Sequence, residues 1–325
     1  MVPAAALAVG AALLLASCSG SAPSENSEPA EAGTVTITDN HGEIDVPVNP
    51  ATVVALDNTA FDTLSEWGVE LAAVPKDVMG DVWPEYTDDE AVANVGNHRE
   101  PDLETIVAEQ PDLIIAGYRF ADYYEQIREQ NPQAAVIEIN PRDGEDRFSE
   151  LQRQTEILGE IFAHEEEAAA LNDALDASIA DAKQAYGDNG TVMAVNTSAG
   201  KIGYLAPVVG RSLGPVFPAL GWQPALEVEG ATDDHQGDEV SVEAIAQSNP
   251  DWIVALDRDA AFAPADREAG SQPADELLKH SEALQNVTAV QQDQIVILDP
   301  NFYLTEGIQA YIEMFDQLQA AFADA

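Results

Sequence analysis

At 325 residues the chain is long enough for two domains or one large one, and 46% of it is apolar, enough to build a real core. Its 59 acidic residues outweigh 13 basic ones and give a formal charge of −46. That charge excludes nucleic acid as a partner, because phosphate recognition needs a basic surface, and it disfavours charge-driven adhesion to anionic lipid.

The first element is the apolar run "ALAVGAALLLASC", of signal-peptide length and too short to span a bilayer comfortably. No Lys or Arg precedes it. It ends in "LASC", Leu15 to Cys18, which resembles the lipobox of bacterial lipoproteins; that resemblance implies acylation of Cys18, the chain's one cysteine. Residues 1–17 are then a signal peptide. Residues 18–33, rich in Ser, Pro, Glu and Ala, cannot form a core and read as a flexible tether.

The folded part is expected from Thr34. "TVTITD" and "EIDVPVN" alternate as a hairpin, "ATVVALD" is a β-branched strand, and "NTAFDTLSEWG" is a capped helix ending at Gly68. Strands and helices then alternate, which predicts parallel sheets with helical crossovers. From Arg147 to Tyr186 the apolar residues Leu151, Leu158, Phe162, Leu171, Leu175, Ile179 and Ala182 recur at helical spacing. Unbroken, such a helix would span about 60 Å and could join two lobes. The expected layout is an N-terminal α/β lobe over 34–146, a linking helix over 147–187 and a C-terminal α/β lobe over 188–325.

An internal repeat supports two lobes. "DLETIVAEQPDLIIAGYR", Asp102 to Arg119, aligns without gaps to "SVEAIAQSNPDWIVALDR", Ser241 to Arg258. Each copy reads as short helix, Pro-Asp turn, buried strand, arginine. Arginine is scarce, nine in the chain, yet Arg119 and Arg258 close equivalent units. In open α/β sheets ligands bind beyond the carboxyl ends of strands, so the two could face each other across a cleft. Pairing with the many surface acids is the bland alternative.

Together the lipobox, tether, paired units and linking helix resemble the substrate-binding lipoproteins of bacterial iron–siderophore ABC transporters, most closely the catecholate-binding branch. The resemblance covers about Thr34 to Phe322 and implies two Rossmann-like lobes joined by a long helix, with the ligand cleft between them. It implies ligand-binding arginines at Arg119 in "GYRFADYY", Arg211 in "VVGRSLGPVF" and Arg258 in "ALDRDAAF". It further implies iron ligation by His235 in "TDDHQGDEVSVE" and Tyr303 in "LDPNFYLTEG", although the spacing from His235 to "SVE" is one residue longer than the family pattern. Glu104 and Glu243, matched by the repeat, would each dock one half of a two-part membrane permease. The ligand would be a ferric siderophore, with no intrinsic cofactor and no enzymatic activity. The protein would be a monomer on the outer face of the cytoplasmic membrane.

The chemistry supports the resemblance independently. A ferric tris-catecholate carries a charge of about −3, and guanidinium groups stay charged, donate in a fork and stack on aryl faces. Two rival readings stand beside it. Haem, cobalamin, a hydroxamate siderophore or a bare metal ion could be the ligand instead, although five scattered histidines suit a bare metal poorly. An exported serine hydrolase is the other, because "GRSLG", Gly210 to Gly214, fits G-x-S-x-G and Asp257 and His280 follow Ser212 in order. Its preceding segment, "LAPVVG", is a poor strand.

Overall fold

The computed structural model describes residues 33–97 and 100–323; the signal-peptide, lipidation and tether assignments at 1–32, Cys18 included, lie outside them. The N-terminal half opens with the expected hairpin, strands β1 (Thr34–Thr38) and β2 (Glu43–Pro47), paired antiparallel. Then follow β3 (Val53–Ala55), α1 (Phe61–Glu66), β4 (Ala73–Val74), α2 (Pro84–Thr87), β5 (Ala93–Asn94), α3 (Leu103–Ala108), β6 (Leu113–Ala116), α4 (Tyr124–Gln130) and β7 (Ala135–Glu138). Five of these strands form one parallel sheet in the order β5-β4-β3-β6-β7. Every residue of β3 and β6 is buried, as befits central strands covered on both faces.

The region expected to be one linking helix is two. Helix α5 (Arg147–Phe162) ends at Ala163, whose left-handed φ of 56° breaks the hydrogen-bond ladder, and α6 (Glu165–Tyr186) starts afresh. The first turn of α6 holds Glu165, Glu166 and Glu167, which suit its positive end. Of the two helices, α5 is the one that packs into both cores. Phe148 and Leu151 at its start pack into the C-terminal core, whereas Ile157, Leu158, Ile161 and Phe162 pack into the N-terminal one. Its 16 residues rise about 24 Å, well short of 60 Å.

The C-terminal half contains β8 (Thr191–Ser198), β9 (Lys201–Tyr204), α7 (Val216–Leu220), β10 (Gln223–Pro224), β11 (Asp238–Glu239), α8 (Val242–Ser248), β12 (Trp252–Asp257), α9 (Ala274–Lys279), α10 (Thr288–Gln291), β13 (Ile295–Ile297), α11 (Phe302–Thr305) and α12 (Ile308–Ala323). Its sheet runs β11-β9-β8-β12-β13 with β10 beside β8. Here the expectation of parallel sheets needs correcting: β9 runs antiparallel to β8 and β11 antiparallel to β9. The cause is the tight turn Ala199-Gly200, both at positive φ, which folds β9 straight back without a crossover.

The repeat is a repeat of structure. Asp102 and Ser241 each cap the start of their helix, accepting from backbone N–H groups at 3.1 Å. Gln110 and Asn249 end those helices at left-handed φ values of 50° and 48°. The aspartate after each proline then clamps the neighbouring strand. Asp112 accepts from the Ala51 and Thr52 amides at 3.1 and 3.0 Å, and Asp251 from the Thr191 amide and hydroxyl at 2.7 and 2.9 Å. These clamps fix β3 against β6 and β8 against β12, and so set the height at which the arginines after β6 and β12 emerge. No helix among the described residues is long and apolar enough to cross a membrane.

Candidate functional site

Beyond the carboxyl end of β6 the chain turns sharply through Gly117, at φ 106°, into Tyr118, at φ 52°. A side chain at Gly117 would collide with Asn140 and Glu138, so the turn needs glycine twice over. The turn aims Tyr118 and Arg119 at the C-terminal lobe. Opposite, Arg258 follows β12 directly, Arg211 lies in the turns before α7, and Tyr303 sits in α11.

These side chains form one alternating column of cations and rings. The Arg119 guanidinium lies 5.5 Å from the Tyr118 ring centre, and Arg211 lies 5.9 Å from Tyr118 and 5.2 Å from Tyr303. Arg258 lies 5.3 Å from Tyr303 and 5.3 Å from Phe262. Three arginines from two lobes are thus brought together, stacked on three rings. Arg119 also donates to the Asn58 side chain at 3.3 Å. Arg258 donates to the Tyr303 hydroxyl at 3.0 Å, to Ser198 at 3.0 Å and to Glu268 at 3.1 Å, and lies 3.5 Å from Asp259.

Arg211 has a partner the sequence did not mark. It grips Glu306 with two hydrogen bonds, 3.1 and 2.7 Å, while Tyr118 and Ser212 donate to the same carboxylate. Glu306 is 1% exposed. Burial alone would raise its pKa; the charge and hydrogen bonds of Arg211, then the charge of Arg147 and the Ser212 bond, reverse this and hold the carboxyl well below its ordinary range. Arg147, the first residue of α5, thus adds a positive charge behind Glu306. Tyr118 stays a protonated donor, since burial and Glu306 both push its pKa up.

The expected iron ligands sit differently. Tyr303 is buried inside the column. His235 lies on an exposed loop, its side chain 50% accessible and its carbonyl held by Asn196 of β8 at 2.8 Å. Its imidazole is pushed below the ordinary value by partial burial, helped by the charges of Arg258 and Arg211 and opposed by Asp234. The lowered pKa favours the neutral imidazole, the form in which histidine ligates metals. Among the described residues no three His, Cys, Asp or Glu side chains converge as a metal site of their own.

The hydrolase arrangement is not assembled. Ser212 is buried and its hydroxyl is held by Glu306, while Asp257 is spent on the amides of Ala260 and Ala274. The segment before Ser212 is a series of turns, not the strand an elbow requires. Glu104 and Glu243 stand exposed at the second positions of α3 and α8, one per lobe, as the repeat predicts. A cavity of about 370 Å³ lies elsewhere, between α1 and α12, lined by Asp62, Glu66, Asp299 and Glu313. Its acidic wall suits an anion poorly, so volume does not mark the site.

Sequence reading missed Tyr118, Glu306, Arg147 and Phe262. Tyr118 and Phe262 lie inside the quoted "GYRFADYY" and "ALDRDAAF", where a ring beside each arginine was a usable signal. Nothing distinguishes Glu306 from the other acids before the fold is known.

The periplasmic binding protein family model matches residues 53–302. The petrobactin-binding protein YclQ of Bacillus subtilis is 26% identical over 324 residues, covering 96% of each chain. The ferric-anguibactin-binding protein FatB of Vibrio anguillarum is 27% identical over 257 residues, 78% of this chain and 77% of that one. The crystal structure of the catecholate-siderophore binding protein VctP of Vibrio cholerae superposes with a TM-score of 0.76 at 25% identity, covering 89% of this chain and 100% of that one. With its two lobes, its single linking helix and a family match over most of its length, this chain belongs to the periplasmic binding proteins.

Proposed function

We propose that this protein is an extracytoplasmic receptor, anchored through a lipidated Cys18, that captures a ferric siderophore bearing catecholate groups and delivers it to an ABC permease. The observation that carries the reading is the column of Arg119, Arg211 and Arg258 stacked on Tyr118, Tyr303 and Phe262. Guanidinium groups layered with aromatic rings between two lobes suit a ligand that is both anionic and aryl-rich. Relatives that bind petrobactin, ferric anguibactin and a catecholate siderophore support the same ligand class. The receptor acts by binding and release, not by catalysis.

Titration of the four tryptophans' fluorescence with ferric catecholates tests the reading. Each charge-assisted contact contributes roughly 1.5–3 kcal/mol, so Arg119→Ala, Arg211→Ala and Arg258→Ala are each expected to weaken binding about tenfold or more. Unchanged dissociation constants in all three variants would overturn it. A visible charge-transfer band on mixing identifies the catecholate, whereas a Soret band would identify haem.

A further inference from the structure

Glu306 is an odd residue to find among ligand-binding arginines. A buried carboxylate beside the pocket of an anion repels that anion, and it occupies the donors of Arg211 that the ligand would use. The fold nonetheless goes to some trouble to keep it charged. Tyr118, Ser212 and Glu306 all adopt left-handed φ, 52°, 64° and 51°. Side chains other than glycine avoid that region at a cost of order 1 kcal/mol each. All three strained residues meet in one hydrogen-bonded cluster, reinforced by the Tyr311 hydroxyl, which donates to the Ser212 carbonyl at 2.9 Å.

The charges around the column can be counted. Arg119, Arg211 and Arg258 supply three positive charges, and Glu306, Asp259 and Glu268 supply three negative ones, in ion pairs with Arg211 and Arg258. The charges of the column therefore cancel within its own contacts. A site meant for a complex of charge about −3 would gain by leaving its arginines unpaired, since each unit of net charge scales the attraction in proportion.

We propose that Glu306 is a specificity-determining residue that neutralises Arg211 from inside the protein and so tunes the cleft to ferric complexes of low negative charge, such as a bis-catecholate, over a tris-catecholate. Arg147 opposes it from the start of the linking helix. The inference rests on the ferric-siderophore reading and deepens it.

Two probes separate the outcomes: the ferric complex of a hexadentate tris-catechol, charge about −3, and that of a tetradentate bis-catechol, charge about −1. Affinities are measured for the full chain and for Glu306→Gln, which keeps the size and hydrogen-bonding capacity of the side chain but removes its charge. The ratio of the two affinities is the readout, because loss of folded protein or of Arg211 orientation lowers both together. Glu306→Gln is expected to shift the ratio about tenfold towards the tris-catecholate and to steepen its salt dependence. Arg147→Gln is expected to shift it the other way, and this variant decides the matter should Glu306→Gln fail to fold. An equal change for both probes in the variants overturns the role of Glu306 while leaving the receptor reading intact. A wild-type chain that binds neither probe overturns the receptor reading, and this inference with it.

Discussion

Tyr303 is held at the centre of the site from three directions: Arg211 on its ring, Arg258 on its ring, and the Arg258 Nε donating to its hydroxyl. A phenolate ligating iron there would lie between two positive charges, which favour it. His235 stands on an exposed loop of the C-terminal lobe, its pKa pushed down by partial burial. The two are expected to matter where a ligand leaves iron unsaturated. Tyr303→Phe and His235→Ala should therefore weaken binding of a ferric bis-catecholate much more than of a hexadentate tris-catecholate, and Tyr303→Phe should abolish any tyrosinate band in the visible spectrum. Equal losses for both ligands would rule out direct coordination. Arg119 and Arg258 were legible because arginine is rare in this chain and the two close a repeat; Arg211 was reached only through the family resemblance. Their neighbours were not: one carboxylate among 59 acids carries no mark of its burial. Arg147, read only as the start of a helix, acquires its role from the lobe that folds back upon it.

Helices α3 and α8 are built alike. Each begins on a side-chain cap, presents a glutamate one residue into its first turn, and ends at a left-handed residue before Pro-Asp. A carboxylate there stabilises its helix by less than about 1 kcal/mol, so removing it should leave the fold and the site intact. We expect Glu104→Ala with Glu243→Ala to preserve siderophore affinity but reduce uptake in reconstituted membranes. Normal transport by the double variant would remove these residues from docking. The elements themselves were mostly legible, since capping residues, Pro-Asp turns and buried β-branched runs are local signals. Two features were not. The break at Ala163 has no Gly or Pro to announce it, and the helical period runs on through it. The return of β9 rests on an Ala-Gly turn, a weaker signal than Asn-Gly.

The molecule as a whole is strongly acidic, and several of its acids are buried in opposing ways. Burial pushes Asp57 up to about 6 despite its bonds from Thr59 and Gln154, and Asp62 also to about 6, with Glu313, Glu66 and Glu85 adding to the rise. Both bind protons more tightly folded than unfolded, so protonation stabilises the fold as pH drops from about 7 towards 4. Glu150, held low by the Arg142 hydrogen bond and by Arg153, and Glu306 act in the opposite sense and lose their contribution below about pH 4. The expected stability maximum therefore lies near pH 5, on the acid side of neutrality. Thermal unfolding should show a midpoint higher at about pH 5 than at about pH 7.5, and Asp57→Asn should shrink the stability difference between the two by roughly 1 kcal/mol. A midpoint that falls steadily over the same interval would contradict it. The charge of −46 adds to this trend, because self-repulsion eases as carboxylates are neutralised.

The linking helix has its two ends set in separate cores, Phe148 and Leu151 in one and Ile157 to Phe162 in the other. Mechanically it is a short stiff axle, not a pair of flexible straps. A helix so anchored at both ends resists a wide swing of the two lobes apart. Glu104 and Glu243 would then keep nearly the same span whether the cleft is empty or full. A permease gripping both residues would receive loaded and unloaded receptors alike, and the two would compete for it. Uptake would then follow the ratio of loaded to empty receptor at the membrane rather than the abundance of the loaded form alone.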